Sequence, residues 1–163
     1  MNKRISVLAA ALLAVGVFSA TAHAKPMTEA QARTIIAPLY KNFTVPQGNV
    51  AENVKAGTTA DWQSCVNDTK CRAQEESIKS FSGLAQMIPD LKLEIKEIIT
   101  QGNKIVVRSE MTGTPAGEFF GVPHTGKSFK VMTIDIHTVK NGKLSYTNHL
   151  EDWAGALGQL RAK

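Results

Sequence analysis

The stretch "SFKVMTIDIHTVKNGKLSYTNHLED" (128–152) constrains the fold more than any other. Two alternating runs flank Asn141-Gly142. An Asn-Gly pair in that setting signals a two-residue β-hairpin turn, because both central residues must take positive φ. With Asn141 and Gly142 as the loop, Lys140 pairs with Lys143, His137 with Tyr146, Asp135 with Asn148, Thr133 with Leu150 and Val131 with Asp152. Side chains alternate across a strand, so this register puts Asp135, His137, Tyr146, Asn148 and Asp152 on one face. That face is either the wet outside of a sheet or the lining of a pocket. An Asp, a His and a Tyr held together suit proton transfer, since each titrates at a different pH.

The rest of the chain supplies the partners for this hairpin. "LKLEIKEIIT" and "KIVVRSEMTG" alternate around a Gly-Asn turn and read as a second hairpin. Upstream, "TEAQARTIIAPLYKNF" has apolar residues at helical period through Ala32, Ile35, Ile36, Leu39, Tyr40 and Phe43. Thr28 with Gln31 makes a capping box, and Pro38 predicts a kink. The segment 44–62 is turn-rich, with a short helical piece over 50–55. "AQEESIKSFSGLAQMIPD" returns to helical period and stops at Pro89. "TPAGEFFGVPHTGK" carries too many breakers for a plain strand. "WAGALGQLRA" reads as a closing helix with Asp152 as its N-cap. Helices first, then hairpins, predict an α+β fold. The helices back a curved antiparallel sheet, a cone-shaped half-barrel with a central pocket.

The first 24 residues read as a signal peptide: a basic start, an apolar run and Ala22-His23-Ala24 before the expected cleavage. Residues 25–163 then form one domain, periplasmic or secreted, with no membrane association after cleavage. Removing Lys3 and Arg4 leaves 17 basic against 14 acidic residues, a net charge of +3. The remaining basic residues are scattered, which argues against a nucleic-acid partner. In an oxidising compartment Cys65 and Cys71 are expected to form a disulfide. Their spacing suits neither a CxxC redox pair nor a zinc set. The four histidines lack HxxxH or HxH spacing, so no metal is expected. The Gly-rich run before Lys127 lacks the spacing of a phosphate loop.

The segments "IPDLKLEI" (88–95), "VVRSEMTGTPAGEFFGVPHTGKSF" (106–129) and "NGKLSYTNHLEDWAGALGQL" (141–160) resemble the SnoaL-like polyketide cyclase, or ester cyclase, family. This family lies within the nuclear-transport-factor-2-like superfamily. The resemblance implies a curved sheet backed by helices around one deep pocket. It also implies an Asp at the start of the final helix acting as general acid/base, without metal or cofactor. Counting back from Gln159-Leu160 places that Asp at Asp152. An apolar pocket raises a carboxyl pKa toward neutrality, which suits proton abstraction beside a carbonyl. His137, Tyr146 and Asn148 are candidates to stabilise the enolate.

The expected catalytic pair is therefore Asp152 and His137. The expected pocket set is Tyr146, Asn148, Asp135, His124, Trp62, Phe81 and Phe120. The expected function is a cyclase- or isomerase-type protein acting on, or binding, a small hydrophobic carbonyl or ester compound, dimeric through a sheet face. The alternative is a non-catalytic periplasmic binding or interaction module on the same cone. Tyr146 and Asn148 favour that alternative, standing where the family pattern has an acid and a Trp. His124 also departs from the pattern, which commonly has a Pro there.

Overall fold

The computed structural model describes residues 26–162. The expected signal peptide lies outside the described residues. Helix α1 (Glu29–Tyr40) starts at the expected capping box: Thr28 Oγ1 accepts from the Gln31 amide and Gln31 Oε1 accepts from the Thr28 amide. It buries Ala32, Ile36, Leu39 and Tyr40 and runs into a single 3-10 turn, Lys41–Phe43. Helix α2 (Val50–Gly57) is capped by Asn49 and covers the expected helical piece. Helix α3 (Gln74–Met87) stops two residues before Pro89. Helix α4 (Trp153–Arg161) closes the described chain.

Six strands form one sheet in the order β2-β1-β6-β5-β4-β3. Two of them, β1 (Thr58–Cys65) and β2 (Cys71–Ala73), lie where the sequence suggested turns and loop. The run "TTADWQSC" holds one large apolar residue and little alternation, so its strand character comes from tertiary pairing. Strand β1 runs parallel to β6 (Lys143–Glu151), which makes the sheet mixed and corrects the all-antiparallel expectation. The remaining pairings are the two expected hairpins, β3 (Lys92–Gln101) with β4 (Lys104–Gly113) and β5 (Phe129–Lys140) with β6, joined by antiparallel pairing of β4 with β5.

The turn between β5 and β6 is as expected, with φ of 53° at Asn141 and 74° at Gly142. The register beyond it is not. Lys140 pairs with Lys143 and Val139 with Leu144, but Thr138 then pairs with Tyr146. Ser145 is the extra residue of a β-bulge, and every later pair slips by one. Asp135 faces His149, His137 faces Thr147 and Thr133 faces Glu151. A one-residue slip exchanges the faces of a strand. Thr147, His149 and Glu151 therefore join Asp135 and His137 on the inner face, and Tyr146 and Asn148 turn outward.

Two apolar clusters hold the helices against the concave side. One joins Ile36, Leu39 and Tyr40 of α1, Val54 of α2 and Trp62 of β1 to Ile105, Val107 and Leu144. The other gathers Ile88, Leu91, Met111, Phe119, Val122, Phe129 and Val131 around Ala156 and Leu160 of α4. The Gly-rich segment belongs to the second. Phe119 and Val122 exchange backbone hydrogen bonds of 2.9 Å, which tucks both side chains inward. Gly113 is needed at the end of β4, since a Cβ there would stand 2.4 Å from Ile88 Cγ2. On the outer face, Met132, Ile136 and Leu150 are exposed.

The expected Cys65–Cys71 disulfide is present and joins β1 to β2. It closes a short loop, with a sequence separation of 6. Loop-closure entropy then predicts that the double Cys→Ser variant is destabilised by about 2 kcal/mol. Equilibrium urea denaturation of oxidised wild type against the variant checks this.

Candidate functional site

Between the helices and the sheet lies a cavity of ≈ 400 Å³, within the usual range for small-molecule sites. Its walls are mainly apolar: Leu39, Phe43, Phe81, Leu84, Leu93 and Met111 with the rings of Trp62, Phe120 and Trp153. Its polar floor is the inner face of the β5–β6 hairpin, carrying Asp135, His137, Thr147, His149 and Glu151, with Tyr40 reaching down from α1.

These groups form one continuous chain of hydrogen bonds. Trp62 Nε1 donates to Thr147 Oγ1 at 3.0 Å, and Thr147 Oγ1 lies 2.9 Å from His137 Nδ1. His137 Nε2 is 3.2 Å from Tyr40 Oη, which donates to Asp135 Oδ2 at 2.5 Å. His149 Nδ1 meets Asp135 Oδ1 at 2.6 Å, and His149 Nε2 meets Glu151 Oε1 at 3.1 Å. Trp153 Nε1 closes the chain on Glu151 Oε2 at 2.6 Å.

Donor and acceptor capacities fix the protons along this chain. Tyr40 has one proton and gives it to Asp135, so it must accept from His137 Nε2–H. His137 thus carries a proton on Nε2; burial keeps the ring neutral, so Nδ1 accepts from Thr147, whose oxygen accepts from Trp62. His149 faces a carboxylate oxygen at each nitrogen, so an imidazolium satisfies both.

The titration shifts follow from the same contacts. Burial lowers the His137 pKa against the pull of the Asp135 charge, and the His149 charge lowers it further. For His149, burial is outweighed by its hydrogen bonds to Asp135 and Glu151 and by their charges, which raise its pKa to about 10. For Asp135, burial is likewise outweighed, chiefly by the His149 hydrogen bond and charge, and its pKa falls. Burial, then the Asp135 charge, holds the Tyr40 phenol well above its usual value. At neutral pH Asp135 is thus a carboxylate, His149 an imidazolium and His137 a neutral imidazole. His149 is the open member, with a side chain 22% exposed against 8% for Asp135.

Of the expected site residues, Asp135, His137, Trp62, Phe81 and Phe120 line this cavity. Four others lie elsewhere. Tyr146 and Asn148 face outward because of the bulge at Ser145. Tyr146 Oη lies 3.9 Å from Cys71 Sγ, and Asn148 edges an outer groove with Ile134, Ile136 and Leu150. Asp152 is exposed and its Oδ1 accepts from the Gly155 amide at 2.8 Å, so its side chain serves the α4 N-terminus and does not line the cavity. His124 Nδ1 is 2.8 Å from the Pro115 carbonyl, within the Gly/Pro-rich segment.

The residues that sequence reasoning missed are Tyr40, Thr147, His149 and Glu151. Tyr40 sits in the apolar stripe of α1 and reads as core. The other three form a period-2 polar run of their own, but the unslipped register points it away from Asp135. Among the described residues, no cluster of three or more His, Cys, Asp or Glu is arranged to hold a metal ion.

Comparison with known proteins gives the same architecture. The family model described as SnoaL-like polyketide cyclase matches residues 44–160. No curated protein matches the chain. Among solved structures, TsrD from Streptomyces laurentii is 20% identical with a TM-score of 0.71, covering 84% of this chain and 99% of its own. A protein from Jannaschia sp. CCS1 assigned to the SnoaL-like polyketide cyclases is 19% identical with a TM-score of 0.73, covering 86% and 99%. IdmH from Streptomyces antibioticus, assigned as a polyketide cyclase, is 23% identical with a TM-score of 0.70, covering 81% and 99%. At these identities the structures establish the fold, and the family model covers well over half of the chain. The chain belongs to the SnoaL-like polyketide cyclase family, and that membership supports a cyclase- or isomerase-type function.

Proposed function

We propose that the cavity takes a small apolar carbonyl or ester compound and promotes its enolisation by acid/base chemistry, as a step of a cyclisation or isomerisation. One observation carries this reading: the His149 imidazolium stands between the Asp135 and Glu151 carboxylates at the floor of an apolar cavity. In the proposed step a Glu151 oxygen takes the proton from the carbon beside the carbonyl. The electron pair moves onto the carbonyl oxygen, which receives a proton or a hydrogen bond from His149 Nε2. In a cyclisation the enolate carbon attacks a second carbonyl, whose oxygen takes the proton from Glu151; in an isomerisation Glu151 returns that proton to another carbon, and in both the proton lent by His149 goes back to Nε2. Substrate must displace the resting His149–Glu151 contact, the longer of the two imidazolium bonds. Asp135, held ionised by Tyr40 and His149, keeps the imidazolium charged. Asp152 caps α4 and has no part in the step.

A second reading, binding without turnover, is favoured by one detail: every oxygen of both carboxylates already accepts a hydrogen bond, which weakens it as a base. We also propose that the protein is exported. The Cys65–Cys71 disulfide supports this, since such bonds persist in oxidising compartments.

Enolisation is measurable without knowing the natural substrate. Wild-type protein should accelerate α-deuterium exchange of 2-tetralone in D₂O, followed by proton NMR. Glu151→Gln should lose about 10²-fold of that acceleration or more. Asp152→Asn should stay within about twofold of wild type. Binding of 2-tetralone without exchange would favour the second reading, and equal losses in the two variants would reject the assignment of Glu151.

The charge states also set how stability responds to pH. The His149 pKa is raised from 6.5 to about 10 on folding. Its contribution is therefore complete below pH 6.5 and is lost as pH rises toward 10. Asp135 is depressed from 3.8, so its contribution is present above that value and lost as pH falls through the folded pKa. Thermal melts between pH 6.5 and 10 should show wild-type stability falling, by on the order of 2 kcal/mol. His149→Gln should start lower and respond less over the same range.

A further inference from the structure

The cavity has a second polar wall that the acid/base cluster does not use. Strand β1 turns Trp62 and Ser64 inward at alternate positions, and Val66 just beyond its end also lines the cavity. Arg72 of β2 sits beside Ser64 in register and also lines the cavity, at its exposed rim. Arg72 forms no ion pair and no side-chain hydrogen bond among the described residues, whereas Arg33 and Arg108 are each paired with a glutamate. Helix α3, packed on β1 and β2, presents Ser77, Ser80, Phe81 and Leu84 to the same space at the i, i+3, i+4, i+7 spacing of one face.

Ser77 is the anomaly on that face. It is 1% exposed, and its hydroxyl has no partner. One turn along, Ser82 satisfies its own hydroxyl on the Ile78 carbonyl at 2.9 Å. Ser77 does not back-bond in this way. A buried hydroxyl without a partner is costly, and this one lies in the cavity wall with its hydrogen-bonding capacity free for a bound group.

Charge gives that group its sign and its direction. The floor carries two carboxylates against one imidazolium, an excess of one negative charge. The rim carries the free Arg72 guanidinium. An anion is repelled from the floor and attracted to the rim, which leaves the floor to the neutral carbonyl end. The guanidinium fork matches a carboxylate with two parallel hydrogen bonds, and hydroxyl donors complete its shell.

We infer that Arg72, with Ser64 and Ser77, forms a specificity subsite for a carboxylate. The ligand class is then an apolar carbonyl compound with a carboxylate at the end remote from the reacting carbon. The inference rests on the proposed function only in taking this cavity as the ligand site, and it names the end that enters last. Arg72 and Ser77 are specificity and positioning residues here, since neither reaches the reacting atoms.

The protein carries its own probe, because its two tryptophans, Trp62 and Trp153, both line the cavity. Tryptophan fluorescence would follow titration with 4-phenylbutanoate and with its neutral isostere 4-phenylbutanamide at low salt. The carboxylate should bind wild-type protein about tenfold more tightly, the effect of one charge-assisted contact. Arg72→Gln should bring the two within about twofold by weakening the carboxylate alone. Ser77→Ala should weaken the carboxylate about threefold, and raising the salt to 0.5 M should narrow the wild-type preference, an electrostatic effect. Equal affinity for the two compounds in wild type, or a preference that survives Arg72→Gln, would overturn the subsite and leave the cavity reading standing. Failure of both compounds to change the fluorescence would overturn the cavity reading and this inference with it.

Discussion

The imidazolium of His149, gripped at both nitrogens by carboxylates, is the interaction on which the site depends. Isolated buried charges are expensive, and a carboxylate stripped of partners would protonate instead of staying ionised. Here each charge is held by the next. Asp135 accepts a hydrogen bond from Tyr40 on one oxygen and from His149 on the other, and Glu151 does the same with His149 and Trp153. Because Tyr40 comes from α1 and Trp153 from α4, the chain also pins both helices to the sheet. Removing one member strands its neighbours, so the polar floor and the helix packing stand or fall together.

The geometry that makes this possible is one extra residue. Without the bulge at Ser145, His149 and Glu151 would face solvent, and the floor would carry Tyr146 and Asn148 instead. Bulges near functional sites commonly re-aim side chains in this way. Here the bulge brings the Thr147 hydroxyl, the His149 imidazolium and the Glu151 carboxylate to one face within a nine-residue strand. The negative floor and the Arg72 guanidinium at the rim then give the cavity walls of opposite charge.

Much of the fold could be read from the chain, because it rests on local signals. The capping box at Thr28, the stop at Pro89 and the Asn141-Gly142 reversal each depend on residues within a few positions of one another. The Cys65–Cys71 disulfide could also be read, since the chain has two cysteines and a leader that reads as export to an oxidising compartment. The strands β1 and β2 could not, because "TTADWQSC" becomes a strand only by pairing with β6 and β2. The site was half legible. Asp135 and His137 were placed on the right face. Tyr146, Asn148 and Asp152 were not, because Ser145 has nothing in its chemistry that distinguishes a bulged residue from a paired one. Tyr40 was hidden by its own amphipathic character: a ring in an apolar stripe, with its hydroxyl beyond the stripe's edge.

His149 is an imidazolium and His137 a neutral Nε2–H ring within one hydrogen-bonded chain. Nitrogen-15 NMR of the histidine rings across pH reads both directly. The account predicts that both nitrogens of His149 stay protonated at pH 8 and titrate near 10, while His137 shows one protonated nitrogen, Nε2, with no protonation down to below pH 6.5. A His149 that titrates near 6.5, or a His137 carrying two protons at neutral pH, would contradict it.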